Sequence, residues 1–318
     1  MLYCQAQSFQ AVRQAIALSL ATLKESTITI APQVFTHPHY GRMVHSLINV
    51  LQQLSVAISI TDTTITLTPH QLQSFTATIA LHPYCPIADI FLSMAPALIH
   101  NEVQSDILFH GVTHSQFSHS TGFIRYGLAP LLQQFGCYLF SATKKFGFYS
   151  ATGTAATKVY PALHKNAGAI VTINRISGVK IYIASINQEF ALYQKQKLAQ
   201  KLSLSDDTIH IVQIANVTNH GNAVDVFFIS DTIPGMLSFT LPLYDANGAF
   251  IFEDSMMDTF IEQVANECQK YYDYFPLPII EEALPFVVSA GHDYTIVQKM
   301  NPAVATTESY ELCQLFTQ

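Results

Sequence analysis

The sequence predicts an α+β fold: a repeated strand–helix unit builds a large domain, and a smaller α/β unit is inserted into it. Three observations predict this. Helical and strand periodicities alternate from the first residues, the same round of elements occurs twice ahead of Tyr160, and the texture changes at about Gly178.

The first round opens with Phe9, Val12, Ile16, Leu20 and Leu23 at helical spacing, followed by a short strand over 27–30. A second helix carries Met43, Leu47, Val50, Leu51 and Leu54 on one face. Val56, Ile58 and Ile60 then alternate with polar residues, as do Ile65 and Leu67 beyond Asp62-Thr63, which describes a hairpin with one buried face.

The second round starts with Phe75, Ala77, Ile79 and Leu81 alternating as a strand. A helix over 86–99 follows with Pro86 in its first turn, then a strand over 105–109. Residues 123–135 form a helix with Ile124, Leu128, Leu131 and Phe135 in register and a kink expected at Pro130. Strands are expected near 137–140, 147–150 and 155–160.

Beyond Gly178 the pattern gives a strand over 179–186, a Lys- and Gln-rich helix over 190–202, and strands over 208–212, 224–229 and 236–243. A helix over 255–271 closes this unit. The segment 279–288, a strand at 295–299 and a helix over 305–316 then read as an incomplete third copy of the first unit. The domain organisation is therefore a discontinuous large domain, 1–177 and 272–318, with 178–271 inserted.

Bulk properties narrow the function classes. The 318 residues are 49% hydrophobic and only 12% charged, yet no apolar run is long enough to span a bilayer, and a secretory signal is not expected. Cys4, Cys85, Cys137, Cys268 and Cys313 are scattered and make no Cys-x-x-Cys pair, so reduced, buried thiols in a cytoplasmic protein are expected. The net charge of −7, from 15 basic and 22 acidic residues, argues against a broad basic face for nucleic acid. Lys144, Lys145 and Lys158 form a local cluster of cations in sequence.

One central stretch is distinctive: Gly111-Val112-Thr113-His114, then Phe123-Ile124-Arg125, then Leu128 to Gly136. It resembles a signature segment of the RNA 3'-terminal phosphate cyclase family. The likeness extends along essentially the whole chain. Gln10, Arg13 and residues 15–20 resemble the family's first helix, Gly41 and Leu47 its second, and Gly147 to Gly153 its Gly-Phe-Tyr-Pro-x-Gly-Gly-Gly stretch. His220-Gly221-Asn222-Ala223-Val224 matches a turn of the inserted domain, and Leu284-Pro285 and Ala290-Gly291 the approach to the last unit. The resemblance implies repeated βαβαββ units with the small domain inserted before the last. It also implies ATP-dependent chemistry: a histidine is adenylated, AMP passes to an RNA 3'-phosphate, and the 2'-hydroxyl closes a 2',3'-cyclic phosphate. Such chemistry needs a nucleophilic imidazole, a divalent metal on carboxylates, and cations for phosphate charge.

The positions that would carry the chemistry depart from the family pattern. The nucleophile position falls at Val304, no histidine follows His292, and His292 lies too early to replace it without a rearranged loop. The family's Glu-Gly-Gly-Gly-Gln loop is Ala6-Gln7-Ser8-Phe9-Gln10, so the carboxylate and the glycines that admit a phosphate to backbone N–H groups are gone. The family's arginine positions fall at Val34, His37 and Val44, and its acidic position at Ile280, or at Glu281 after a one-residue slip.

Gly111 and Thr113 read as turn residues and Lys145 as a solvated cation, whereas Arg13 either reaches a phosphate or completes a polar face. His110, His114, His119, His37 and His39 fit no standard zinc spacing, so no metal site is expected. Glu281-Glu282, with Glu253 and Asp254, read as solvated or helix-dipole carboxylates rather than an acid–base pair.

The expectation is therefore a diverged, catalytically inactive cyclase-like protein acting as a binding scaffold. No catalytic residue is assigned, His292 being a weak substitute for the nucleophile, and Gln10 and Arg13 are the remaining cofactor-binding candidates. The alternative is an active ATP-dependent cyclase with a site rebuilt around His292 or His114, and only then are ATP and Mg expected. RNA or a protein of RNA metabolism is the implied partner; neither a membrane nor DNA is expected.

Overall fold

The structure, a computed structural model, describes residues 1–163, 173–230, 233–245, 248–271 and 274–318. Strand β1 (Leu2–Ala6), helix α1 (Phe9–Thr22), strand β2 (Ser26–Ile30), helices α2 (Pro32–Thr36) and α3 (Pro38–Gln53), and strands β3 (Ala57–Thr61) and β4 (Thr64–Thr68) form the first unit. Its sheet runs β1-β2-β4-β3, with β1 parallel to β2 and the other pairs antiparallel.

The second unit repeats this order: β5 (Thr76–Ala80), α4 (Ile87–Leu98), β6 (Ser105–Gly111), a helical segment from Thr121 to Phe135, β7 (Leu139–Lys145) and β8 (Gly153–Val159). Its sheet is β5-β6-β8-β7, again with one parallel pair followed by two antiparallel ones. The duplication read from periodicity is thus a duplication of topology.

A third sheet is wired differently. Strands β9 (Ile173–Ala184), β10 (Ile209–Gln213), β11 (Gly221–Ser230) and β12 (Pro234–Thr240) run β10-β9-β11-β12, and helix α7 (Gln188–Lys201) makes the parallel crossover from β9 to β10.

The main buried cluster draws on all three sheets, and α1 and α4 run through it. Helix α1 rests on β1 and β2, α4 rests on β6 and β8, and the two helices pack on each other. Residues 11–20 of α1 and all of α4 are buried, which is the sequence property of a helix without a solvent face. Helices α9 (Leu277–Ser289) and α10 (Glu308–Thr317) complete this inner layer against α1, and α8 (Asp254–Gln269) packs on α7.

The helical segment after β6 is broken in a way that sequence periodicity does not reveal. Helix α5 (Thr121–Phe123) passes into a wide π turn over Ile124–Leu128, then α6 (Ala129–Leu132), then a 3-10 turn over Gln133–Phe135. Pro130 has no N–H and its ring crowds the carbonyl of the preceding turn. The wide turn, in which Ala129 N–H bonds to Ile124 O, absorbs that crowding. Gly127 sits on this turn, where a Cβ would stand 2.6 Å from Met236 O of β12. Gly136 ends the segment at φ +75°, and a Cβ there would lie 1.9 Å from Leu163 O.

Two expected strands are absent. Residues 147–150 form a turn instead, because the Thr113 hydroxyl accepts from Gly147 N–H (2.9 Å) while Thr113 N–H donates to Gly147 O (3.0 Å). The stretch at 295–299 is a 3-10 helix (Tyr294–Lys299), started by the Asp293 carboxylate accepting from Thr295 N–H at 2.9 Å. The expected last helix is likewise divided into a 3-10 turn (Pro302–Thr306) and α10, with Thr307 as N-cap. The described C-terminal residues are therefore helical throughout and do not form a third copy of the repeat.

Candidate functional site

A cleft of about 540 Å³ opens at the N-terminal end of α1, between the loop Gln7–Gln10, α3, α4, residues 115–119, β12, α8 and α9. Its chemistry centres on one arginine. Arg13 lies inside α1 and is 2% exposed, because the face it shares with apolar neighbours packs on α4 and α9. Its Nε lies 3.3 Å from Asp89 Oδ1, and its Nη2 donates to Glu282 Oε1. His119 reaches the same Glu282 oxygen with Nε2 at 3.4 Å, and its ring stacks on Phe123 at 3.9 Å.

Both carboxylates are almost fully buried, Asp89 at 4% and Glu282 at 1% exposure. Burial pushes the Asp89 carboxyl up to about 6 against the attraction of Arg13. For Glu282, burial acts upward as well, but Arg13 and then His119 outweigh it and hold the group below the usual carboxylate range. Glu281, behind the cleft, is raised to about 7 by burial and then by the charge of Glu282, with the Ser309 hydroxyl 3.3 Å away opposing the shift.

The loop before α1 is closed from within the protein. Glu308 of α10 accepts from Gln7 N–H at 2.6 Å and from the Ser8 hydroxyl at 3.0 Å, while Ser8 Oγ caps α1 by accepting from Ala11 N–H at 3.1 Å. A carboxylate of the chain thus takes the backbone N–H that a bound anion would otherwise use. Phe9 stacks on Tyr40 at 5.7 Å, and both rings, with Val34 and Phe117, wall the cleft.

The sequence-derived positions separate cleanly in space. Gln10 and Arg13 line the cleft together. Val304 does not: it is fully buried in the 3-10 turn Pro302–Thr306. His292 is elsewhere too, with its Nε2 2.9 Å from Phe135 O and its ring against Phe135. His114 is a core residue. Burial pushes its imidazole down to about 3, Thr113 Oγ1 sits 2.9 Å from its Nδ1, and Phe146 stacks on the ring at 5.0 Å.

His110 meets the Thr154 hydroxyl at 3.1 Å, and His37 and His39 pack among Tyr40 and Phe117. Among the described residues no group of three or more His, Cys, Asp or Glu side chains is arranged to hold a metal. Lys144 and Lys145 are exposed, whereas Lys158 pairs with Asp106 at 2.7 Å.

The residues that sequence reasoning missed are Asp89, Glu282 in its role as a partner, and His119. A signal for the first two was present. Arg13, Asp89 and Glu282 each interrupt an apolar run that packs on both sides, and charges in such places are seldom buried unless paired.

Comparison with known proteins identifies a family for the chain. The family model described as RNA 3'-terminal phosphate cyclase matches residues 5–237. Among solved structures, the enolpyruvyl transferase NikO from Streptomyces tendae aligns at 19% identity and a TM-score of 0.29, covering 48% of this chain and 29% of that one. The chain thus spans less than a third of the length of that structure. No curated protein matches the chain by sequence.

Proposed function

Because the chain belongs to the RNA 3'-terminal phosphate cyclase family, we propose that it is a diverged member that has lost the family's reaction and keeps the scaffold for binding. The supporting observation is the state of Arg13. An ATP-dependent adenylation site has to hold a triphosphate, and among the described residues Arg13 is the only Lys or Arg lining the cleft. Its guanidinium is already shared by Asp89 and Glu282. With Glu308 on the Gln7 N–H and Phe9 where the family has glycine, the residues present do not fit ATP and its metal. Gln10 is then a neutral wall residue and Arg13 a structural cation.

RNA, or a protein of RNA metabolism, is the partner class that family membership suggests. A large domain interrupted by an insert, expected at 178–271, is the organisation we favour; the separate strand order of the third sheet supports it, and because β9 already begins at Ile173 the insert starts no later than that residue. Its second boundary falls at residues outside those described. No helix among the described residues is long and apolar enough to cross a membrane.

One observation favours a second reading, an active ATP-dependent cyclase with a rebuilt site. His119 lines the cleft and is oriented by Glu282, a placement that neither His292 nor His114 has. The two readings separate on incubation with α-labelled ATP and Mg²⁺ followed by denaturing electrophoresis. The non-catalytic reading expects no label on the protein. A covalent AMP adduct that disappears in His119→Ala would overturn it in favour of the second.

A further inference from the structure

Charge and ring placement in the cleft suit an occupant of the opposite sign to a nucleotide. Asp89 and Glu282 outnumber Arg13, and the guanidinium leaves part of each carboxylate unused. Among the described residues, Asp89 Oδ2 and Glu282 Oε2 have no hydrogen-bond partner within normal geometry, although both side chains are more than nine-tenths buried. The Ser118 hydroxyl, beside them in the cleft lining, lies 3.3 Å from the His119 carbonyl and also acts on Asp89, opposing the upward shift of its carboxyl, so Glu282 Oε2 is the less served of the two. Buried acceptors are nearly always satisfied, and leaving one open is costly, so these two oxygens suit a donor from outside the chain. Glu308 at the mouth adds to the negative potential.

The walls above this floor are aromatic. Phe9 and Tyr40 stack, and Phe117 meets Tyr40 edge-on at 5.9 Å. Ring faces attract cations and shield an alkyl stem from water. A cleft of about 540 Å³ lies within the usual range for a small organic ligand. A bare metal ion suits the site less well, since among the described residues no group of three ligating side chains converges and aromatic walls offer it no oxygen.

We propose that the cleft binds an organic cation, its ammonium or guanidinium group directed at Asp89 and Glu282 and its alkyl stem lying against Phe9, Tyr40 and Phe117. This goes beyond the non-catalytic reading and rests on it in one respect, that nucleotide does not fill the cleft. Two sources share the chemistry: a free polyamine, and a basic side chain of a protein partner.

Titration calorimetry of the protein with spermidine and with N-acetyl-arginine amide tests the proposal, with MgCl2 and Mg-ATP as separate arms. At least one of the two cations should bind saturably with a submillimolar Kd. Asp89→Asn should weaken that binding about tenfold. Phe117→Ala, which leaves net charge unchanged, should weaken it about fivefold. Preference for spermidine assigns the site to a free polyamine, and preference for the arginine derivative to a basic protein segment. Failure of both cations to bind overturns the proposal, as does binding that neither substitution alters, which would be attraction to the acidic surface alone. Binding of MgCl2 in place of the cations overturns it too. A covalent AMP adduct would instead remove the non-catalytic reading, whereas no adduct and no cation binding removes only this inference.

Discussion

The segment from Gly111 to Gly136 and the loop ahead of α1 both resemble family motifs, and they have fared in opposite ways. In the first, the motif glycines stand where the fold itself has little room for a Cβ, as at Gly111 against Cys85 O and Gly136 beside Leu163 O. In the second, the family's glycines serve an incoming phosphate, and here they have become Gln7, Ser8 and Phe9, secured by Glu308. A motif glycine is therefore evidence about chemistry only where the protein's own atoms do not already require it.

The contrast is sharpest under mutation of the buried cleft charges. Removing one member of a buried ion-pair network strands the others, so Arg13→Ala should destabilise the protein by about 3–5 kcal/mol in urea unfolding. Replacing all three of Arg13, Asp89 and Glu282 with apolar residues of similar volume should recover most of that loss. A single substitution costing less than the triple would break the account of Arg13 as neutralised from within by Asp89 and Glu282.

Next in size is the motif side. Gly136→Ala combines a strained left-handed residue with a clash against a backbone carbonyl, for a loss of about 3 kcal/mol in the same assay. An unchanged midpoint would mean that the Leu163 backbone gives way and that Gly136 persists for another reason.

A pH series separates the regions further. The Glu281 carboxyl is raised in the folded protein from 4.5 to about 7, so its protonated form is favoured by folding. That contribution is fully present below pH 4.5 and is lost as pH rises through about 7, amounting to about 3 kcal/mol. Stability of the wild type relative to Glu281→Gln should therefore fall across this window. Relative to Gly136→Ala it should stay flat, and a slope in both would mean that Glu281 is not the sole titrating group in this window.

The smallest effect is expected at the loop. Glu308→Gln keeps an acceptor for Gln7 N–H but loses its charge, and should cost about 1 kcal/mol in the unfolding assay. A loss as large as that of Arg13→Ala would make Glu308 part of the buried triad rather than a tether on the loop.

Much of the scaffold was legible because its signals are local. Alternation in 56–60 and 65–67, helical spacing in 9–23 and Pro86 before α4 give the two repeats directly. The failures have physical causes as well. Thr295-Ile296-Val297-Gln298-Lys299 is too short for period to decide, and Asp293 turns it into a 3-10 helix. Residues 147–150 carry aromatics that suit a strand, but the Thr113 hydroxyl holds them in a turn.

The cleft was the least legible part. Arg13 and Glu282 are 269 positions apart, and only the fold brings them together. His119 looked like one of several scattered histidines, and nothing near it in sequence marks it as the one beside Glu282.

Binding precedes any adenylation, so the most direct measurement is the melting temperature of the wild-type protein with and without several millimolar Mg-ATP. If Arg13 is neutralised from within and Glu308 holds the loop, the melting temperature should not move. A ligand at a hundred times its Kd stabilises by about 2.7 kcal/mol, so a rise of several degrees that Gln10→Ala abolishes would contradict the account and return the cleft to a nucleotide.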